Sequence, residues 1–212
     1  MKSAIIWDWN GTLLNDLDLC IASINQLLKN RKLPLLNHST YRDVFSFPVK
    51  EYYRAIGFDF SRENFEVPAK EFIDLYDNGV ENCPLHESAR EVLKFFREVG
   101  VRQFVLSAMK QPMLEKTLKH NGIFSFFEGV AGLNDHYAVS KVERGKELLS
   151  DFMIDPVNAW MIGDTNHDFE VARELGLNCV LVADGHQSES RLKQTGAKVI
   201  SGLNQLPQLP IK

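Results

Sequence analysis

The sequence is poor in three things, and each absence excludes a class of protein. Cysteine is scarce: Cys20, Cys83 and Cys179 are an odd number, widely spaced, with no C-x-x-C pair. A disulfide framework and a thiolate metal site are therefore excluded, and buried thiols in a reducing compartment are expected. No Lys/Arg-rich block exists, and 24 Lys and Arg against 28 Asp and Glu leave a net charge of -4. That balance offers no basic face to a nucleic-acid backbone. No apolar run approaches the ~18 to 20 residues of a membrane helix, and "MKSAIIW" is only a short apolar run rather than a signal peptide. The expectation is a cytosolic protein whose partner is a small molecule, not a nucleic acid or a membrane.

What is present is a core. The 212 residues are 44% hydrophobic and 10% aromatic, enough for one domain or one domain with an insert. Five short apolar runs recur with helical patterns between them: Ser3 to Trp7, Arg102 to Leu106, Phe127 to Ala131, Asn158 to Ile162 and Asn178 to Val182. This alternation predicts a parallel sheet covered on both faces, an α/β doubly wound fold. Ser88 is placed to cap a helix carrying Ala89, Val92, Leu93 and Phe96, stopped by Gly100; Pro112 opens another that Gly122 closes; Gly176 ends a third.

Between about Asp16 and Asn82 the rhythm changes, with helix-period segments and no convincing strand. Leu17, Cys20, Ile21, Ile24, Leu27 and Leu28 define one amphipathic helix, and "VKEYYRAI" and "AKEFIDLY" two more. An all-helical insert over residues 16–83 is expected, splitting the α/β core into 1–15 and 84–212.

In an open parallel sheet, ligands bind beyond the carboxyl ends of the strands. After the first strand comes Asp8-Trp9-Asn10-Gly11-Thr12, after the second Ser107, and after the fourth Gly163-Asp164-Thr165-Asn166-His167-Asp168, while Lys141 opens the helix "SKVERGKELLSDF". Acids, a hydroxyl and a lysine are thus expected on one edge. Taken singly, each has a plainer reading: Asp8 as a turn former, Asn166 as a helix cap, Ser107 as a chance strand-end serine, Lys141 as a solvated charge. Taken in this order, at successive strand ends, they point to a site.

"WDWNGTLL", "FVLSA", Lys141 and "WMIGDTNHD" resemble the four successive motifs of the haloacid dehalogenase-like superfamily of phosphotransferases, and the helical insert is similar to the cap of its phosphoglycolate-phosphatase-like members. The resemblance implies a phosphatase acting on a small phosphorylated metabolite with Mg²⁺. Asp8 would be the nucleophile forming an aspartyl-phosphate, already ionised at neutral pH. Asp8, Asp164 and Asp168 with the carbonyl of Asn10 would hold the cation, since Mg²⁺ takes a few hard oxygens plus waters. Ser107, Ala108 and the Gly11 and Thr12 amides would bind phosphate oxygens, and Lys141 would offset their charge together with that of Asp8. Lys146 is a weaker candidate for that role.

The departure is at Asn10. Many relatives carry there an aspartate that protonates the leaving alcohol, and an amide cannot exchange that proton. Three outcomes follow: a phosphatase for good leaving groups or with an acid recruited elsewhere, a phosphonatase-like C–P hydrolase, whose cap lysine has no local sign at Lys32, Lys50 or Lys70, or a protein that binds a phosphorylated ligand without turnover. Replacing Asn10 by Asp is expected to preserve or raise turnover of poor leaving groups. Metal-free dehalogenation and a phospho-receiver module fit less well, given acids after the fourth strand and the insert. Of the histidines, His167 reads as a helix-surface group and His186 as a loop residue bordering the pocket.

Overall fold

A computed structural model describes residues 3–133 and 140–211. Six strands form one all-parallel sheet: β1 (Ala4–Trp7), β2 (Arg102–Lys110), β3 (Gly129–Leu133), β4 (Ala159–Gly163), β5 (Asn178–Val182) and β6 (Lys198–Ile200), in the order β3-β2-β1-β4-β5-β6. β1 is central, so the strand order reverses there and a crevice opens beyond its carboxyl end.

Alternation along β1 assigns its side chains to two cores. Ile5 and Trp7 join one buried cluster, with Val105, Leu93, Phe96, Leu114 and Leu118; Ala4 and Ile6 join the other, with Leu106, Met161, Val171 and Leu175. Helices α5 (Ala89–Glu98) and α6 (Gln111–His120) supply the first face, α7 (Lys141–Asp151) and α8 (Asn166–Leu175) the second. This is the doubly wound α/β arrangement expected from the alternating pattern.

The regular structure of the insert is helical: α1 (Leu17–Asn30), α2 (His38–Val44), α3 (Val49–Ala55) and α4 (Glu66–Gly79), joined by turns. The chain enters and leaves it side by side. Asn15 N donates to Pro84 O at 2.8 Å, His86 N to Leu13 O at 2.9 Å, and Leu14 and Leu85 form an antiparallel bridge. The C-terminal end of α2 is fastened to the loop after β5: Arg42 donates to Asp184 O at 2.9 Å, and Gln187 to Phe45 O at 2.9 Å.

Several expectations change. β6 escapes the sequence pattern because three residues are too few to show a period, and α2 because only Tyr41 on it is buried. Ser88 precedes α5 but makes no capping bond, its backbone being left-handed at φ 62°. Thr165, rather than Asn166, caps α8, in a reciprocal box with Asp168. β2 runs past Leu106 to Lys110, so Ser107 sits inside the strand, where the pairing with β3 shifts register. Cys20 is buried, whereas Cys83 and Cys179 are only half-buried; all three are free thiols. Among the described residues, no helix is long and apolar enough to cross a membrane.

Candidate active site

The carboxyl ends of β1 and β4 bring three acids together. Asp8, held by its own N–H to Ile162 O at 2.8 Å, lies with Asp164 and Asp168 so that one oxygen of each falls within 4.8 Å of the others, all buried. Lys141 links them: its ammonium donates to Asp8 Oδ1 and, at 2.6 Å, to Asp168 Oδ1. A lysine at the first turn of a helix opposes the helix dipole, and one this buried is stable only because two carboxylates receive it.

Each acid is oriented by its loop. Asp164 Oδ1 accepts from Thr12 Oγ1 at 2.9 Å and Oδ2 from His186 N at 2.7 Å. Asp168 Oδ2 accepts from Thr165 N at 3.0 Å and Thr165 Oγ1 at 2.7 Å, the helix cap serving the site as well. Gly11 passes between these groups with φ +75°, and a Cβ there would stand 2.3 Å from Asp164 Oδ2 and 2.4 Å from His186 Cδ2, so only glycine fits.

Three carboxylates against one ammonium leave two negative charges in excess. The protonation equilibria register that excess. Burial pushes Asp8 well above the carboxylate range, Lys141 pulls it back, and Asp168 and Asp164 push it further up. Burial raises Asp164 to about 6, opposed by His186 and reinforced by Asp168. Asp168 stays below its ordinary value because Lys141 and Thr165 outweigh its burial. A buried, all-oxygen pocket short of two positive charges matches a hard divalent cation.

The remaining expected residues are placed as follows. Ser107 is fully buried and donates from Oγ to Asn10 Oδ1 at 3.2 Å. The Gly11 and Thr12 amides do not face the acid cluster as phosphate donors: Gly11 N is taken by Asp16 Oδ1 at 2.8 Å and Leu14 O at 2.9 Å, and Thr12 N by Trp9 O at 3.3 Å, because the tight turn closes on itself. Ala108 follows Ser107 on β2 and is exposed. Lys146 lies outside, paired with Glu143 at 2.8 Å on the surface of α7. Lys70 pairs with Asp74 at 2.6 Å, and Lys50 lies over the Phe60 and Phe65 rings, so neither is aimed at the acids. His167 packs on Phe47, with ring centroids 4.8 Å apart.

Beside the acid cluster is a second buried group, Asp16, Tyr76 and His186, from α1's entry, α4 and the loop after β5; the sequence put His186 at the pocket's border but gave no role to Asp16 or Tyr76. Asp16 Oδ2 accepts from Tyr76 at 2.6 Å and from Asn10 Nδ2 at 3.0 Å, and Oδ1 faces His186 Nε2 at 3.1 Å. Burial disfavours both charged forms, but the pairing prevails, raising His186 to about 9 and holding Asp16 below its ordinary value. No local motif joins positions 16, 76 and 186; the one available signal was a second acid so soon after Asp8.

The profile of the haloacid dehalogenase-like hydrolases matches residues 5–182. The chain is 26% identical over 198 residues to the tyrosine-protein kinase PtkA of Mycobacterium tuberculosis, covering 93% of this chain and 67% of that protein. It is 26% identical over 205 residues to the N-acetylmuramic acid 6-phosphate phosphatase of Pseudomonas aeruginosa, covering 93% and 89%. A haloacid dehalogenase-like hydrolase from Streptococcus pneumoniae shares the fold, with a TM-score of 0.83 over 98% of this chain and 97% of that one, at 18% identity.

Proposed function

The chain belongs to the haloacid dehalogenase-like hydrolases, and we propose that it is a Mg²⁺-dependent phosphatase that hydrolyses a small phosphate monoester through a phosphorylated Asp8. The observation that carries this is the Lys141 ammonium shared between Asp8 and Asp168, with Asp164 completing a buried cluster two positive charges short of neutral. Phosphatases are among the relatives, which supports the reaction class.

Asp8 has a carboxylate oxygen for in-line attack on phosphorus; the P–O bond to the leaving group breaks, and water later cleaves the acyl phosphate. Lys141 holds that carboxylate in place and balances charge as the phosphate arrives. Ser107, whose hydroxyl hydrogen rests on Asn10 Oδ1 at 3.2 Å, would turn that hydrogen to a phosphate oxygen when substrate binds. Asp8, Asp164, Asp168 and the carbonyl of Asn10 would hold Mg²⁺, which when bound supplies the charge that a dianionic phosphate needs.

The helical insert, taken as residues 16–83, acts as a cap over a core of 1–15 and 84–212. With Asp8 only 6% exposed and the insert fastened to the loop after β5, substrate entry requires the cap to lift. Turnover of p-nitrophenyl phosphate with Mg²⁺ or EDTA tests the reading. Activity that EDTA and Asp8→Asn each abolish is expected; metal-independent turnover, or turnover surviving Asp8→Asn, overturns it.

A further inference from the structure

Asn10 spends both amide hydrogens inside the protein, one on Asp16 Oδ2 at 3.0 Å and one on the Tyr76 hydroxyl at 2.6 Å. Held in that sense, its oxygen faces Ser107, whose Oγ donates to it at 3.2 Å while accepting from Met109 N at 3.0 Å. Asp16, 1% exposed, is met by donors on every side: Gly11 N at 2.8 Å, Tyr76 at 2.6 Å, His186 Nε2 at 3.1 Å and the Asn10 amide. A buried carboxylate persists only in such company. Cys20 completes a metal-like spacing with Asp16 and His186, but the donors already on Asp16 leave no oxygen that calls for a cation.

We infer that Asp16 is a positioning residue for the reaction. It and Asn10 form a matched donor–acceptor pair that aims Ser107 and holds the Gly11 turn against Asp164, and an acid at position 10 fits only if position 16 surrenders its own. The catalytic half rests on the phosphatase reading above; the pairing rests on hydrogen bonds alone. A carboxylate at position 10 would bring no hydrogen to Asp16 Oδ2 and would set two buried like charges in contact. Exchanging the two groups keeps the hydrogen bonds among Asn10, Asp16, Tyr76 and Ser107, with the Tyr76 hydroxyl reversed, and gives up only the long contact of Cys20 Sγ with Asp16 Oδ2 at 3.8 Å. The amide at 16 then donates to the carboxylate at 10, its oxygen still receives Gly11 N and His186, and Ser107 still finds an acceptor.

The test compares Asn10→Asp, Asp16→Asn and the combined Asn10→Asp/Asp16→Asn in p-nitrophenyl phosphate turnover with Mg²⁺ and in thermal unfolding. Each single change is expected to lower kcat about 10- to 100-fold with KM shifted less than about threefold, as misplacement of reacting groups does. The combined protein should return to within about fivefold of the parent kcat and unfold at a higher midpoint than either single variant, the Asp16–His186 charge pairing being the part it does not restore, since contacting residues are coupled rather than additive. Losses that multiply in the combined protein, or a single Asn10→Asp that leaves kcat and midpoint unchanged, would overturn the inference. If the parent shows no turnover that Asp8→Asn removes, the phosphatase reading fails, and with it the catalytic half. The three midpoints then decide the pairing alone, a combined midpoint above both single ones upholding it and additive loss overturning it.

Discussion

The hydroxyl of Tyr76, sixty residues along the chain from Asp16 and on the last inserted helix, donates to that aspartate at 2.6 Å while accepting from Asn10 at 2.6 Å. One phenol thus joins the cap to the turn that carries Asp8. Tyr76→Phe keeps the ring packed on Phe72 but leaves Asp16 and Asn10 each short of a buried partner. A loss of about 1–3 kcal/mol is expected, read as a lower midpoint in urea with an unchanged slope.

Lys141→Met removes the one ammonium in direct contact with Asp8 and Asp168 among the described residues. Breaking a buried pair costs roughly 3–5 kcal/mol, and loss of one electrostatic clamp roughly 10²- to 10³-fold in kcat. The stability loss should be smaller in Mg²⁺ than in EDTA, because the cation offsets the uncovered carboxylates. Equal losses in both buffers would show that no cation reaches this cluster.

Metal addition alone should stabilise the parent protein. With Mg²⁺ at a hundred times its dissociation constant the gain is about 2.7 kcal/mol, visible in a thermal melt against EDTA. Asp164→Asn should abolish the shift, since it removes a charge from the excess that draws the cation.

The Asp16–His186 pair makes stability depend on pH. His186 is raised in the folded protein from an ordinary 6.5 to about 9, so its contribution is complete below 6.5 and is lost as pH rises through 9. The span corresponds to about 3 kcal/mol, or roughly 6–12 °C in the unfolding midpoint of a chain this size. Asp16 is held below its ordinary value, so its share is present above about 3.8 and fades as pH falls through its lowered pKa. In His186→Gln the alkaline decline should flatten; an unchanged slope would assign it to other groups.

Position 10 bears on substrate. With both amide hydrogens engaged, Asn10 neither protonates nor solvates a departing oxygen. Aryl phosphates should exceed alkyl phosphates in kcat/KM by at least about 10²-fold, the usual worth of general acid help. A flat leaving-group profile would mean that another acid serves the reaction. The single Asn10→Asp change, which reads from sequence as neutral or helpful, now carries the opposite expectation because Asp16 stands against it.

How far the sequence reached follows from the range of the interactions involved. Apolar runs ending in Asp8 and Gly163, with helical periods between them, are local patterns, and they determined the doubly wound sheet, the helical insert and the strand-end acids with Lys141. Each of those elements announces itself within a few residues of chain. Tertiary structure alone decided that Gly11 N turns to Asp16 rather than outward, and that Tyr76 and His186 close around that aspartate. Such a buried polar cluster is a balance of donors and acceptors drawn from three distant segments, and no spacing in the sequence records which hydrogen meets which oxygen.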